Sequence, residues 1–249
     1  MDESGAIQTL RGLGFGEADA QTLAAHFADA ERRGKTGHGF SRVAWLATRP
    51  FELDPSARPR LVLDEPGYQR WDGNGALGYL TLAEIVDAQL ADPPPHARLV
   101  VAQRTFPTGV LGYWGRKLAE GGLLAALTAT SPPRLGHPDG GPKVAGTNPL
   151  AIAIPSPNGR LLVSDVSMGR VTYGEVLAGE AAADELVPFG GEHAHKAFAL
   201  ALGLQLLVDS LVGEPGHGAV LLVARPEADP VPALRERAAG IRLPGDRTP

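Results

Sequence analysis

A strand–helix–strand pattern between residues 99 and 128 most constrains the fold of this chain. Residues 99–102 and 123–128 are short apolar runs typical of buried strands, and residues 110–120 between them have the apolar spacing of a helix. Such a βαβ-like unit favours helices packed on a sheet. A chain of 249 residues is long enough to bury a sizeable core of this kind. We therefore expect an α/β protein that forms a single compact unit over residues 1–249.

The remaining patterns divide the chain into a helical N-terminal part and a sheet-bearing core. Helices are predicted at residues 17–33, 40–48, 79–91 and 195–212, and strands at 60–64, 150–154 and 161–163. The last two strands are joined by Pro157-Asn158-Gly159, which favours an antiparallel hairpin that leads to Asp165. We expect a helical segment over residues 1–60 and a mixed-sheet core over residues 61–249. The proline- and glycine-rich stretch 131–146 is too long for a plain connector and is expected to line a site.

Composition argues against several classes of function. The net charge is −5, the pI is near 5.8 and no run of lysine or arginine is present, which argues against binding to nucleic acid or to an anionic membrane. The absence of cysteine excludes disulfides, thiolate metal sites and cysteine nucleophiles. No leader pattern and no apolar run of about 18 residues is expected, so we predict a soluble, cytoplasmic protein. His193 and His195 lie two residues apart with no carboxylate pattern beside them, and we expect no metal site.

A short loop carries the residues best suited to chemistry. His38 lies between Gly37 and Gly39, just after the predicted helix 17–33, and Arg42 falls in the first turn of the next helix. An imidazole can donate a proton, and a guanidinium binds a carboxylate through paired hydrogen bonds. Plainer roles stay open, because a histidine in a glycine loop is often a structural hydrogen-bonding group. An arginine on a helix is often solvated or paired with an acid.

Three stretches of the sequence together carry a resemblance to a known family. They are Arg33-Gly34-x-x-Gly37-His38-Gly39-x-x-Arg42, the run Gly146-Thr147-Asn148-Pro149-Leu150-Ala151-Ile152-Ala153-Ile154-Pro155, and Gly190-Gly191 followed by His195-Lys196 before a long helix. In this order they resemble the malate/L-lactate dehydrogenase-type oxidoreductases. This non-Rossmann nicotinamide family includes piperideine-2-carboxylate reductase, ureidoglycolate dehydrogenase and sulfolactate dehydrogenase. The chain lacks the Gly-x-Gly-x-x-Gly pattern of a Rossmann fold.

The resemblance implies a fold and a reaction. The fold is a mixed, largely antiparallel sheet in which residues 97–165 carry the cofactor-type lobe. The reaction is hydride transfer between NADPH or NADH and a small carboxylate-bearing ketone or cyclic imine. His38 is the implied general acid, Asp165 its orienting partner and Arg42 the clamp for the carboxylate. A homodimer is implied as well.

Other site residues follow from the same resemblance. On the substrate side they are His137, Thr147 and Asn148, and on the cofactor side they are Thr108, Gly109, Pro155, Ser156, His195, Lys196 and Arg247. A cofactor phosphate suits Lys196, because a cation at the start of a helix otherwise opposes the helix dipole. Structural roles stay open here too: Asp165 suits capping of the turn that follows it, and His137 suits an exposed loop.

The chain also departs from the family. Gly37 stands where the family has a serine next to the histidine, and Pro107 stands where it has a second histidine near the cofactor. The chain is shorter than typical members, notably between Gly169 and Gly190 and near the C-terminus. These departures keep open a relative that uses His38 and Asp165 without a nicotinamide, for redox-neutral cyclisation, isomerisation or elimination. A ligand-binding pseudoenzyme is a third, non-enzymatic possibility.

Overall fold

A seven-stranded mixed sheet runs through the structure. The computed structural model describes residues 1–48, 53–213 and 216–246. The strands are β1 (Arg60–Glu65), β2 (Tyr68–Asp72), β3 (Ala97–Gln103), β4 (Leu124–Ala129), β5 (Leu150–Ile154), β6 (Leu162–Val166) and β7 (Ala219–Ala224), in the order β1-β2-β3-β7-β4-β5-β6. Strands β2 and β3 are parallel, and the other neighbouring pairs are antiparallel. The predicted mixed, largely antiparallel sheet is confirmed.

Eight α-helices accompany the sheet in the described part of the chain. They are α1 (Glu3–Gly12), α2 (Glu17–Arg32), α3 (Ser41–Ala47), α4 (Gly78–Ala91), α5 (Leu111–Glu120), α6 (Tyr173–Leu177), α7 (Ala194–Val212) and α8 (Val231–Arg237). Three of them precede β1, as the predicted helical N-terminal segment requires. The predicted helix 17–33 ends one residue early at Arg32, and Gly34 follows the C-cap Arg33 with φ at +69°. Glycine adopts this left-handed conformation without strain.

The predicted βαβ-like unit is present as β3, α5 and β4, with one addition. Strand β7 lies between β3 and β4 and pairs antiparallel with both. Helix α5 packs over β4 and β5. On the same side, Trp114 of α5, Tyr79 of α4 and Phe27 of α2 are fully buried. This core therefore fixes the start of α5 relative to α2 and β6, which is where the candidate site lies.

Strand β2 was not expected from the sequence. It contains Gln69 and Arg70, and polar residues of this kind are unusual in a strand interior. Both find hydrogen-bond acceptors in neighbouring elements: Gln69 donates to Asp64 Oδ1 at 2.8 Å, and Arg70 Nη2 donates to Gln103 Oε1 at 3.0 Å. Tertiary pairing therefore overrides the weak local preference for a strand.

Helix α7 is more apolar than the sequence analysis expected. The 22-residue segment Gly191–Val212 contains an 18-residue window with a mean hydropathy of 1.3, so it is long and apolar enough to cross a membrane by length and composition alone. The expectation that no apolar run reaches this length is wrong for this segment. In the structure Val208 and Val212 pack against Val101 and Val220 of the sheet. The opposite side of the helix exposes Leu200, Leu206 and Leu207.

Candidate active site

A cavity of about 770 Å³ lies between the turn after α2, the start of α5, the loop after β4 and the end of β6. It brings together predicted site residues from distant parts of the sequence. Those that line it are His38, Arg42, Thr108, Gly109, Thr147 and Asp165. Ser131, Pro132 and Arg134 also line it, so the first residues of the 131–146 loop border this cavity.

Arg42 brings a buried positive charge to the cavity wall. It lies in the first turn of α3, only 8% exposed, with its guanidinium carbon 5.1 Å from the centre of the Trp45 ring. Its Nε is buried and has no hydrogen-bond partner among the described residues, and the side chain forms no ion pair there. Burying a charge without a counter-charge is costly. The cavity at Arg42 is therefore suited to an anionic ligand.

His38 contributes an uncharged imidazole. It ends a short 3₁₀ turn, Thr36–His38, and no side-chain hydrogen bond to it forms within the described ranges. Burial, with smaller contributions from the nearby charges of Arg42 and Lys35, lowers the pKa of His38 to about 3. His38 is therefore neutral at pH 7. A neutral imidazole is a weak acid, so the predicted role of general acid has little driving force here.

Asp165 does not hold His38 in this structure. It lies on β6 opposite Ala151 of β5, and its Oδ2 accepts a hydrogen bond from Lys35 Nζ at 2.6 Å. An ammonium is a charged donor and binds a carboxylate more strongly than a neutral imidazole does. The predicted His38–Asp165 contact is thus replaced by a Lys35–Asp165 ion pair. Lys35 was missed by the sequence analysis, although a lysine three residues before His38 in a lysine-poor chain was a usable signal.

Gly37 has a structural reason to lack a side chain. Helix α6 begins with a capping box in which Thr172 and Glu175 bond each other's backbone N–H groups. The first turn of α6 packs against the loop that contains Gly37. A Cβ at Gly37 would lie only 2.5 Å from the backbone nitrogen of Glu175. A serine therefore does not fit at position 37 without movement of the backbone.

Two further side chains in the cavity wall were not predicted. The guanidinium carbon of Arg134 lies 3.3 Å from the centre of the Tyr173 ring, a stacking contact that holds the cation in place. His217 lies beside Phe106, with 4.9 Å between ring centres, and its buried Nδ1 has no partner in the described part of the chain. Burial lowers the pKa of His217, against the raising effect of Asp209.

The other predicted site residues do not line this cavity. Asn148 is fully buried and its Nδ2 donates to Ala201 O and to Gln205 Oε1, both at 2.9 Å, so it fastens the strand β5 loop to α7. Ser156 donates to Asp229, and His137 contacts Phe198 at 5.4 Å between ring centres. Pro155 is buried, whereas His195 and Lys196 are exposed in the first turn of α7. Arg247 lies outside the described residues. Their proposed roles stay predictions.

Buried neutral histidines make the stability of the protein sensitive to pH. The pKa of His26 is lowered to about 3, first by burial, as is that of His38, whereas both are near 6.5 when unfolded. Below pH 6.5 the unfolded chain therefore binds protons that the folded chain does not, and stability falls as the pH is lowered toward 3. We expect the free energy of unfolding to drop by about 1.4 kcal/mol per histidine between pH 7.5 and 5.5.

The measurement is urea unfolding at both pH values, with His26→Gln as the matched variant. The backbone N–H of Val110 donates to His26 Nε2 at 3.1 Å, and a glutamine oxygen keeps an acceptor there without titrating. The change in the free energy of unfolding between the two pH values should be smaller in the variant than in the wild type by about 1.4 kcal/mol. An unchanged pH dependence would mean that His26 does not contribute.

The sheet order and the cation-lined cavity define a mixed α/β protein of the non-Rossmann class. The sequence pattern of the malate/L-lactate dehydrogenase family matches residues 3–186, and the chain belongs to this family. An L-lactate dehydrogenase from Cupriavidus necator is 29% identical over 229 residues, which covers 78% of this chain and 64% of the relative. A malate dehydrogenase from Pyrococcus horikoshii is 26% identical over 182 residues, which covers 68% and 48%. The chain thus spans about half to two thirds of the length of these curated relatives.

Solved structures show the same fold. A dehydrogenase from Sinorhizobium meliloti superposes with a TM-score of 0.81 at 21% identity, covering 99% of this chain and 89% of that one. The delta1-piperideine-2-carboxylate reductase from Pseudomonas syringae pv. tomato also has a TM-score of 0.81 at 21% identity, covering 99% and 91%. At this level of identity the likeness establishes the fold alone.

Proposed function

We propose that this protein is an oxidoreductase that transfers a hydride between NADPH or NADH and a small ketone or imine bearing a carboxylate. The observation that carries the proposal is Arg42, a buried guanidinium that faces a cavity in a chain of this family and has no counter-ion among the described residues. A carboxylate offers two oxygens at the spacing of a guanidinium fork and would neutralise the buried charge. The homodimer and the cytoplasmic location implied by the resemblance stay predictions.

The lining of the cavity supports the proposal that it binds the nicotinamide part of the cofactor. Its wall combines the apolar side chains of Phe106, Val110 and Leu111 with the backbone of the Thr108-Gly109 turn. A volume of about 770 Å³ is within the usual range for ligand sites and holds a small acid next to an aromatic ring. When bound, the nicotinamide supplies the hydride. The chain's own residues bind and orient the acid, and the buried wall keeps water away from the reacting carbon.

The first test compares an acid with its ester. Purified protein is incubated with NADPH or NADH and a panel of 2-oxo acids and cyclic imino acids, and the absorbance at 340 nm is followed. For a substrate that reacts, the methyl ester should have a kcat/KM about 100-fold lower, because it cannot form the charged pair with Arg42. Equal rates for acid and ester would contradict the assignment of Arg42. No oxidation of either nucleotide with any acid would contradict the proposed function itself.

A further inference from the structure

Lys35 lines the cavity and forms an ion pair there with Asp165. Its Nζ donates to Asp165 Oδ2 at 2.6 Å, and both side chains line the cavity. The pair joins the turn after α2 to strand β6 across 130 residues of sequence. Asp165 is 13% exposed and Lys35 is 40% exposed. An ammonium has three hydrogens, so two remain for a ligand or for water after the bond to Asp165.

The other basic side chains that line the cavity are poor proton donors. Arg42 and Arg134 are guanidinium groups, which hold their protons too tightly to release them. His38 and His217 have lowered pKa values and are neutral at pH 7. Gly37 and Pro107 also line the cavity, and neither has a side-chain donor. Among the described residues that line the cavity, Lys35 is the one cation able to release a proton.

We infer that Lys35 is the proton donor of the proposed reaction and that Asp165 is its positioning partner. The inference rests on the proposed function. In the direction of reduction, a bound reduced nicotinamide would supply a hydride to the carbonyl carbon of the substrate, and the electron pair of the C=O π bond would move to the oxygen. That oxygen forms a bond to a proton from Lys35 Nζ as the N–H bond breaks. The ketone is thereby reduced to an alcohol and the nicotinamide is oxidised.

An ammonium group paired with a carboxylate is chemically suited to donate this proton. The developing alkoxide is far more basic than an amine, so proton transfer from Lys35 is downhill. The positive charge also stabilises the oxygen before the transfer is complete. Asp165 is fixed on β6 and packs against the first turn of α5, where a Cβ at Gly112 would lie 2.9 Å from its Oδ2. Lys35 regains its proton from solvent, to which its partly exposed side chain has access.

The experiment compares Lys35→Arg and Lys35→Met with Lys143→Met, an exposed lysine in the 131–146 loop. Arginine keeps the charge and an ion pair with Asp165 but cannot release a proton. We expect both Lys35 variants to lower kcat at least 100-fold, with KM changed less than fivefold and Lys143→Met unchanged. Ethylammonium added to Lys35→Met should restore part of kcat in a concentration-dependent way.

A readout without turnover separates this role from a structural one. Calorimetric titration with oxamate, a non-reacting carboxylate, should give dissociation constants within threefold of wild type for Lys35→Arg, because Arg42 is intact. Lys35→Arg with at least a third of wild-type kcat would overturn the inference and leave the proposed function in place. If Lys35→Met does not fold, Lys35→Arg still decides the question. Wild-type protein that reduces no acid would instead overturn the proposed function on which the inference rests.

Discussion

Replacing Arg42 with methionine is expected to weaken the binding of a carboxylate ligand about 100-fold while raising the melting temperature. The loss of affinity follows from the removal of a charged pair of hydrogen bonds, worth about 2.7 kcal/mol at this fold-change. Arg42 is the buried cation that faces the cavity, and its Nε has no partner among the described residues. Ligand binding would therefore depend on it more than on any exposed arginine.

The rise in stability has the same physical origin. In the free protein the Arg42 charge is buried and has no counter-ion within residues 1–48, 53–213 and 216–246, and methionine has a similar length without that cost. A gain of about 1 kcal/mol would raise the Tm of a chain of this size by roughly 2–4 °C. Such opposed effects are typical of residues kept for function at the expense of stability.

Two measurements check this prediction together. Calorimetric titration with oxamate gives the affinity, and thermal unfolding without ligand gives the Tm. Arg32→Met is the matched control, because Arg32 is 55% exposed at the end of α2 and contacts Asp29 only at 3.8 Å. It should change neither quantity. A variant Arg42→Met with wild-type affinity and a lower Tm would show that Arg42 is a structural residue.

Restoring the family's serine at position 37 is expected to damage the protein. A Cβ at Gly37 would lie 2.5 Å from the backbone nitrogen of Glu175 and 2.6 Å from the carbonyl carbon of Gly174. Backbone atoms cannot yield as a flexible side chain can, so α6 would have to move away from the cavity wall. We expect Gly37→Ser to lower the free energy of unfolding by about 3 kcal/mol and to reduce activity.

Gly34→Ala is the matched control for this prediction. Gly34 has φ at +69° but no atom within 4 Å of its Cβ position, so only the conformational cost of about 1 kcal/mol applies. Urea unfolding of both variants and of the wild type gives the comparison. A Gly37→Ser protein that is as stable as wild type and more active would contradict the steric argument and would indicate that a serine relay is restored.

Strong local patterns made much of the fold predictable. Helix α4 begins one residue before its predicted start at Tyr79, and strands β5 and β6 form the predicted hairpin, because apolar periodicity and a Pro-Asn-Gly turn are local properties. The insertion of β7 between β3 and β4 was not predictable in this way. Strand pairing of this kind joins residues ninety or more positions apart, and a local pattern carries no information about it.

The candidate site was predictable in part for the same reason. His38 and Arg42 lie in one short motif and reach the cavity together. The partner of Asp165 depends instead on which long side chain reaches β6 in the folded protein, and that side chain is Lys35 rather than His38. Asn148 shows that a sequence motif does not reveal what its side chain contacts: the side chain donates a hydrogen bond to the backbone of α7, and its predicted role at the substrate stays a prediction.

The most direct test of this account is a titration of the purified protein with NADH and with NADPH, followed by fluorescence. The central claim is that the cavity beside Arg42 and Lys35 accepts a reduced nicotinamide together with a carboxylate. We predict saturable binding with a dissociation constant below about 1 mM for at least one nucleotide, and tighter binding of oxamate in its presence. Dissociation constants above about 1 mM for both nucleotides, with oxamate still bound at Arg42, would contradict it and would favour redox-neutral chemistry at the same site.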